Sequence, residues 1–345
     1  MTIRECIGRE ETGARVWWKV RGAAVMWVKL RVLGIAIVAL ALGGQETPRP
    51  NRVAWFEGFP EPLPEGVGEL ALEATSQMLR PDLERTADGR TWARLDGEAW
   101  QVTADWAMGL GATRLNVRAR VASRSGGIAD QALWNWHEAF NMLQGGREDA
   151  PKNRLAYHLE RDGVVIADLH RPGVALMDLD VAWLAPFGTR DAGGRVGIAV
   201  QLPTGRQADF SGSGGTDVLA GVAGWRRFGR WRVTGQTEHV WLGLPQTSPL
   251  RLVTDRSHFH RSWVGLGWEP RGTGWLDGIG IEVSLAHAGS PYRTGLPRLD
   301  RAGWQQHWTL RHGRWPRWRF GFSEEAGTFT APDITGFVAY RFAGA

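Results

Sequence analysis

The chain has 345 residues, enough for one large domain or two ordinary ones, and its 43% hydrophobic, 10% aromatic and 22% charged composition excludes a disordered polymer. Seven of its 41 basic residues but only three of its 36 acids lie in residues 1–43, so the remainder carries 34 against 33 and its net charge is close to zero. That near-balance excludes the basic footprint a nucleic-acid partner requires. The one cysteine, Cys6, also lies in the leader, so the rest of the chain has no disulfide, thiolate metal site or cysteine nucleophile.

Val32 to Leu42 is an uncharged apolar run of eleven residues, preceded by Lys29 and Arg31 and followed by the small residues Ala39, Ala41, Gly43 and Gly44 at its end. This is the order of a secretory signal, and the run is too short for a membrane helix, which needs about 20 residues. The expected division is therefore a non-native or mis-started extension over 1–25, with Met26 the better start, and a signal peptide over 26–44. Residues 45–66 hold Pro48, Pro50, Pro60, Pro62 and Pro64 and read as a periplasmic lead-in. The barrel is expected over 67–345.

Beyond the prolines, alternation with a period of two dominates. Trp100, Val102, Ala104, Trp106, Met108 and Leu110 alternate with Gln101, Thr103, Asp105, Ala107 and Gly109; after a tight turn Leu115, Val117, Ala119 and Val121 alternate with Arg114, Asn116, Arg118 and Arg120. This is a hairpin with one apolar and one polar face. Runs starting near Val196, Trp231, Ile279, Trp304 and Trp318 repeat the pattern. Links near 109–113, 227–229, 270–275 and 312–314 are short, whereas those near 123–152, 204–216, 242–258, 288–301 and 324–332 are long. An outer-membrane barrel has short periplasmic turns and long extracellular loops. The expected fold is all-β, an antiparallel transmembrane β-barrel of about 12–14 strands, the runs near 67–76 and 164–170 being the weak ones. A soluble β-sandwich also alternates, but it does not place full charges inside central strands or aromatics at strand ends. On the last strand Ile334, Val338, Tyr340 and Phe342 share a face, with Phe342 three residues from the end.

Asp130 to Leu143 breaks the β pattern. Ala132, Trp136, Phe140 and Leu143 have helical spacing, Asp130 can cap the start and Gly145-Gly146 the end. A short helix in one long loop is expected, with Trp136, His137 and Phe140 as a candidate cap over the barrel mouth.

The block from Leu95 to Tyr157, with LDGE at Leu95–Glu98, GG-x-x-D at Gly126–Asp130, WH-x-x-F at Trp136–Phe140 and R-x-x-x-P-x-NRL-x-Y from Arg147, resembles DUF3187, a family of bacterial exported proteins of unknown function. A second block, LPTG at Leu202–Gly205 followed by SGSGGTD at Ser211–Asp217, looks like that family and like other outer-membrane barrels. The resemblance implies a β-barrel in the outer membrane of a Gram-negative bacterium and no activity.

The polar strand faces offer Asp105, Arg118, Arg120, Arg232, Glu238, Glu282, Arg311, Arg317 and Arg319 as lumen lining, either rings of charge that select a solute or ion pairs that fill a closed interior. His258 and His260 share a strand face, but two histidines are a weak metal site. With Ser257, Glu238 and His239 they also supply residue types for an outer-membrane enzyme, without the spacing of a triad. Gly212–Gly215 lacks the ending of a phosphate loop and reads as a polar surface loop. No catalytic, cofactor or metal residue is assigned. The expected partners are outer-membrane lipid and, during insertion, the barrel assembly machinery. The leading function is a channel or binding barrel for a small solute. The alternatives are a structural or surface-interaction barrel with a plugged lumen, and an enzyme acting on lipid or glycan.

Overall fold

A computed structural model describes residues 68–78, 82–126, 130–139, 151–189, 191–209, 211–325 and 334–343. The proposed extension, signal peptide and proline-rich segment lie outside the described residues.

The chain is a closed antiparallel barrel of 12 strands with a separate four-stranded sheet at one end. The wall is built from β1 (Gly68–Met78), β4 (Glu98–Leu110), β5 (Thr113–Ser125), β9 (Leu179–Gly188), β10 (Ala192–Leu202), β11 (Asp217–Phe228), β12 (Trp231–Trp241), β13 (His258–Trp268), β14 (Ile279–Ala288), β15 (Gly303–His312), β16 (Trp318–Glu325) and β17 (Ile334–Ala343). Consecutive strands pair from β9 to β17. β1 then joins β17 along ten rungs, from Glu69↔Ala343 to Met78↔Ile334. The ring closes through Gly68↔Met108 and the β4–β5 and β5–β9 ladders.

Strand parity explains the wall. Side chains alternate across a strand, so one register fixes which residues meet lipid. Val102, Val121, Ile198, Val222, Val264, Leu266 and Leu310 all point outward and are exposed. A soluble domain does not leave a continuous apolar belt uncovered; a bilayer-spanning barrel requires one. Aromatic residues mark its two edges, with Phe187, Phe228, Trp231, Trp268 and Trp318 at one and Trp241 and Trp304 at the other. Interfacial side chains of this kind sit at headgroup level.

All the long connections emerge from one end and the short turns from the other, as the link lengths predict. Glycines at positive φ, Gly111 (φ 59) and Gly229 (φ 63), allow two of the tight turns.

The remaining strands settle the two weak runs. β2 (Asp82–Arg85), β3 (Thr91–Asp96), β6 (Ala156–Arg161) and β7 (Val164–Leu169) form their own sheet in the order β2-β3-β6-β7. The alternating run near 164–170 is thus no wall strand, whereas the run near 67–76 is, and the 12 wall strands fall within the expected 12–14. The cause is local: Asp162 (φ 51) and Gly163 (φ 76) make a two-residue turn that folds β7 straight back onto β6. β8 (Gly173–Leu176) pairs with β5 above the β5–β9 ladder, so β8 and β9 act as one strand bulged at Met177-Asp178. The loop helix, α1, spans Asp130–Ala139.

Candidate functional site

The inward face of the barrel carries charge in two arrays. On the β4–β5–β9 wall, alternation lines up Arg114, Asn116, Arg118 and Arg120. Arg118 Nη2 lies 2.6 Å from Asp105 Oδ2, Asn116 donates to Asp105 Oδ1 at 3.2 Å, and Arg114 Nε donates to Asn116 Oδ1 at 2.8 Å. Arg120 Nη2 meets Asp180 Oδ2 at 2.6 Å, with both side chains buried (3% and 0% exposed).

Across the ring, Arg232 bridges Glu269 (2.5 Å) and Glu282 (2.8 Å), Arg311 reaches Glu282 at 3.3 Å, and Arg227 reaches Glu269 at 2.5 Å. Glu238 pairs with Arg261 at 2.5 Å. Charges taken out of water are costly unless paired, and these pairs offset one another's desolvation.

Eight of the nine lumen residues named from sequence fall on this inward face: Asp105, Arg118, Arg120, Arg232, Glu238, Glu282, Arg311 and Arg319. Arg317 lies in the β15–β16 turn and is exposed at the rim. Sequence reasoning missed Asp180, Arg195, Arg261 and Glu269. Parity inside a strand could have found the first three. Glu269 lies outside its strand, where alternation gives no signal.

The small sheet packs at the loop end. Its inner face, Leu95, Tyr157, Leu159 and Ile166, shares one core with the loop residues Leu242, Leu250, Val253 and Leu296 and with inward wall residues Ala182, Ala199, Leu219 and Val240. Asp96 pairs with Arg154, Arg161 Nη1 donates to the Arg293 carbonyl at 2.8 Å, and Gln207 Nε2 donates to the Ile166 carbonyl at 3.3 Å. Gly126 must lack a side chain, because a Cβ there would lie 1.8 Å from the Asn153 carbonyl oxygen.

The Gly212–Gly215 stretch is not a polar surface loop. Ser211, Ser213 and Asp217 are buried, and the segment wraps the buried carboxylate of Asp178. Asp178 Oδ1 accepts from the Gly205 amide and Oδ2 from the Ser213 amide, each at 2.9 Å. The glycines let backbone approach the carboxylate: a Cβ on Gly212 would lie 2.3 Å from Asp178 Oδ1.

On the outer face of the small sheet, His158 stacks on Trp92 with ring centres 3.9 Å apart. Its Nδ1 lies 3.0 Å from Asp168 Oδ1 and its Nε2 lies 3.4 Å from Glu160. His170 approaches the other Asp168 oxygen at 3.2 Å. The hydrogen bond with His158 holds the Asp168 carboxyl below its usual value, against a smaller opposing effect of burial.

Trp136 and His137 fall on α1, but their side chains and the whole of Phe140 lie outside the described residues. His258 and His260 do share a face, and it is the outer one, whereas Glu238 points into the lumen. The wall therefore separates the acid from the histidines that a triad would need. Among the described residues, no group of three or more His, Cys, Asp or Glu side chains is arranged to hold a metal ion.

Residues 87–247 match DUF3187, described as a protein of unknown function. The matched segment runs from the hairpin before β3 into the loop after β12 and contains both motif blocks that carry the resemblance. The DUF3187 motifs are structural: Asp96 and Arg154 pair, Leu95, Leu155 and Tyr157 fill the cap core, and LPTG with SGSGGTD encloses Asp178. No curated protein matches the chain by sequence. Among solved structures it is similar to the COG4313 outer membrane channel from Pseudomonas putida F1, with 11% identity, 83% of this chain and 100% of that chain covered, and a TM-score of 0.50. A Pseudomonas aeruginosa FadL homologue (10% identity, 87% and 100% covered) and the Pseudomonas putida toluene transporter TodX (9%, 81% and 91%) give TM-scores of 0.38 and 0.35. At such identities the likeness to the COG4313 channel is one of fold.

Proposed function

We propose that this protein is an outer-membrane channel for a small solute, closed at its loop end by its own β2-β3-β6-β7 sheet. The observation that carries the reading is a charged lumen under a cap held by separable polar contacts. The chain would reach the membrane through its 26–44 leader, with the long loops outward. The COG4313 channel shares the fold, and a channel function is in keeping with that likeness. Paired arginines and carboxylates along a lumen set the ionic preference of a pore when water enters.

Burial of Arg120 and Asp180 favours a second reading, a structural barrel whose interior stays filled. Planar-bilayer recordings separate the two. Wild-type protein should give infrequent conductance steps, and a variant with a loosened cap (Asp96→Ala with Arg154→Ala) should open more often. A folded barrel silent in both forms would leave the structural reading.

A further inference from the structure

The outer surface of β12–β14 holds a group of histidines that neither the lumen nor the cap uses. His239 lies across the ladder from His260, and Trp241 across from His258, so all three imidazoles share the lipid-facing side at the loop-end edge of the belt. The His239 and His258 ring centres are 5.0 Å apart, and His239 lies 4.6 Å from Trp241. His260 Nε2 is 2.5 Å from Ser262 Oγ, and Thr237 Oγ1 is within 3.4 Å of the same ring. His287 on β14 stands beside this group, across from Ser262, with its ring 4.5 Å from Trp304.

The geometry points to a binding site for the phosphate of an anionic lipid headgroup, formed by His239, His258 and His260 within the aromatic girdle. Three features argue for that occupant. Imidazoles on an outward face cost free energy in hydrocarbon and are stable where headgroups supply hydrogen-bond partners; the flanking Trp241 and Trp304 place the group at that depth. Next, the outward neighbours on β11 are Val218, Ala220 and Val222, so that strand contributes no carboxylate. On β14 and β15 the outward neighbours are His287, Leu285, Trp304 and Gln306; Glu324 lies one strand further, bonded to Gln306 at 3.3 Å. In the preceding loop Arg256 is exposed and Asp255 pairs with Arg293 at 2.9 Å. Finally, imidazoles this close repel one another once protonated, and an external anion relieves the repulsion. Protonation and phosphate binding therefore strengthen each other.

The test uses the refolded full barrel in vesicles that mix phosphatidylglycerol with phosphatidylcholine, reading the motionally restricted fraction of spin-labelled lipid of each kind. Wild-type protein should prefer phosphatidylglycerol at about pH 5.5 and lose most of the preference by about pH 8. One engaged imidazolium should be worth about fivefold in relative association. His239→Gln/His258→Gln/His260→Gln should abolish the pH-dependent part. The same positions changed to Phe keep the aromatic girdle and should abolish it too, which guards against a folding defect in one set. Equal preference in wild-type and both variants overturns the proposal. So does competition by inorganic phosphate as effective as that of the lipid, which would mark a site for the free anion, or displacement of lipid by zinc.

Discussion

Replacing Asp178 with alanine tests whether one carboxylate organises the loop that steadies the cap. The change removes the acceptor for the Gly205 and Ser213 amides, both at 2.9 Å, in a buried setting. A buried donor left without a partner costs about 1–3 kcal/mol, so the two together cost about 2–6 kcal/mol. The effect is local, because the β10–β11 loop can open without unfolding the wall. At the lower bound, protection of both amides against hydrogen exchange should fall about 30-fold. Asp178→Asn keeps one carbonyl oxygen and should release one amide while sparing the other. The same loop carries Gln207, which bonds the Ile166 carbonyl of the cap and accepts from Ser248 at 2.6 Å. Exchange at β7 should therefore rise as well, and bilayer openings should become more frequent. Exchange at Gly205 and Ser213 in Asp178→Ala within about threefold of wild type would refute the reasoning, since loop closure would then rest on packing alone.

Other outcomes follow from the same contacts. Asp180→Leu strands Arg120 in the interior and should cost about 3–5 kcal/mol in urea unfolding from vesicles, most of it recovered by adding Arg120→Met. Gly126→Ala should sharply reduce the yield of heat-modifiable folded barrel, while Gly224→Ala, whose Cβ would meet only the Gly193 carbonyl oxygen at 3.6 Å, should fold normally. Asp168 has a lowered pKa in the folded cap, so its contribution is present above the ordinary carboxylate value of 3.8 and is lost as pH falls below it. Exchange at β6–β7 amides should rise over that acid window in wild type and show no such dependence in Asp168→Asn. Glu282→Gln removes the carboxylate shared by Arg232 and Arg311 and should shift the reversal potential of an open pore toward anions; an unchanged potential would place the ion path elsewhere.

Much of the architecture was legible before any coordinates. Alternation at Trp100–Val121 and from Val196 onward gave wall strands with their inward and outward faces, because period two is a property of the strand itself. Link lengths separated the two ends of the barrel for the same reason, since a tight turn announces itself locally. The lumen charges at Asp105, Arg118, Arg232 and Glu282 came from that parity. Two further partners did not: Glu269 pairs with Arg232 from outside its strand, and Asp180 meets Arg120 from 60 positions away in sequence.

By itself the sequence determined an alternating chain of barrel strands, with one helix at Asp130 and its basic excess confined to residues 1–43. Only the tertiary structure decided that Val164–Leu169 belongs to a cap and not to the wall, because the same alternation serves either sheet and the partner strand makes the choice. It also decided that Gly212–Gly215 encloses Asp178, and that histidines from β12 and β13 meet on the lipid side. Each of these depends on which strands become neighbours when the ring closes, and residue order along a single strand does not encode that.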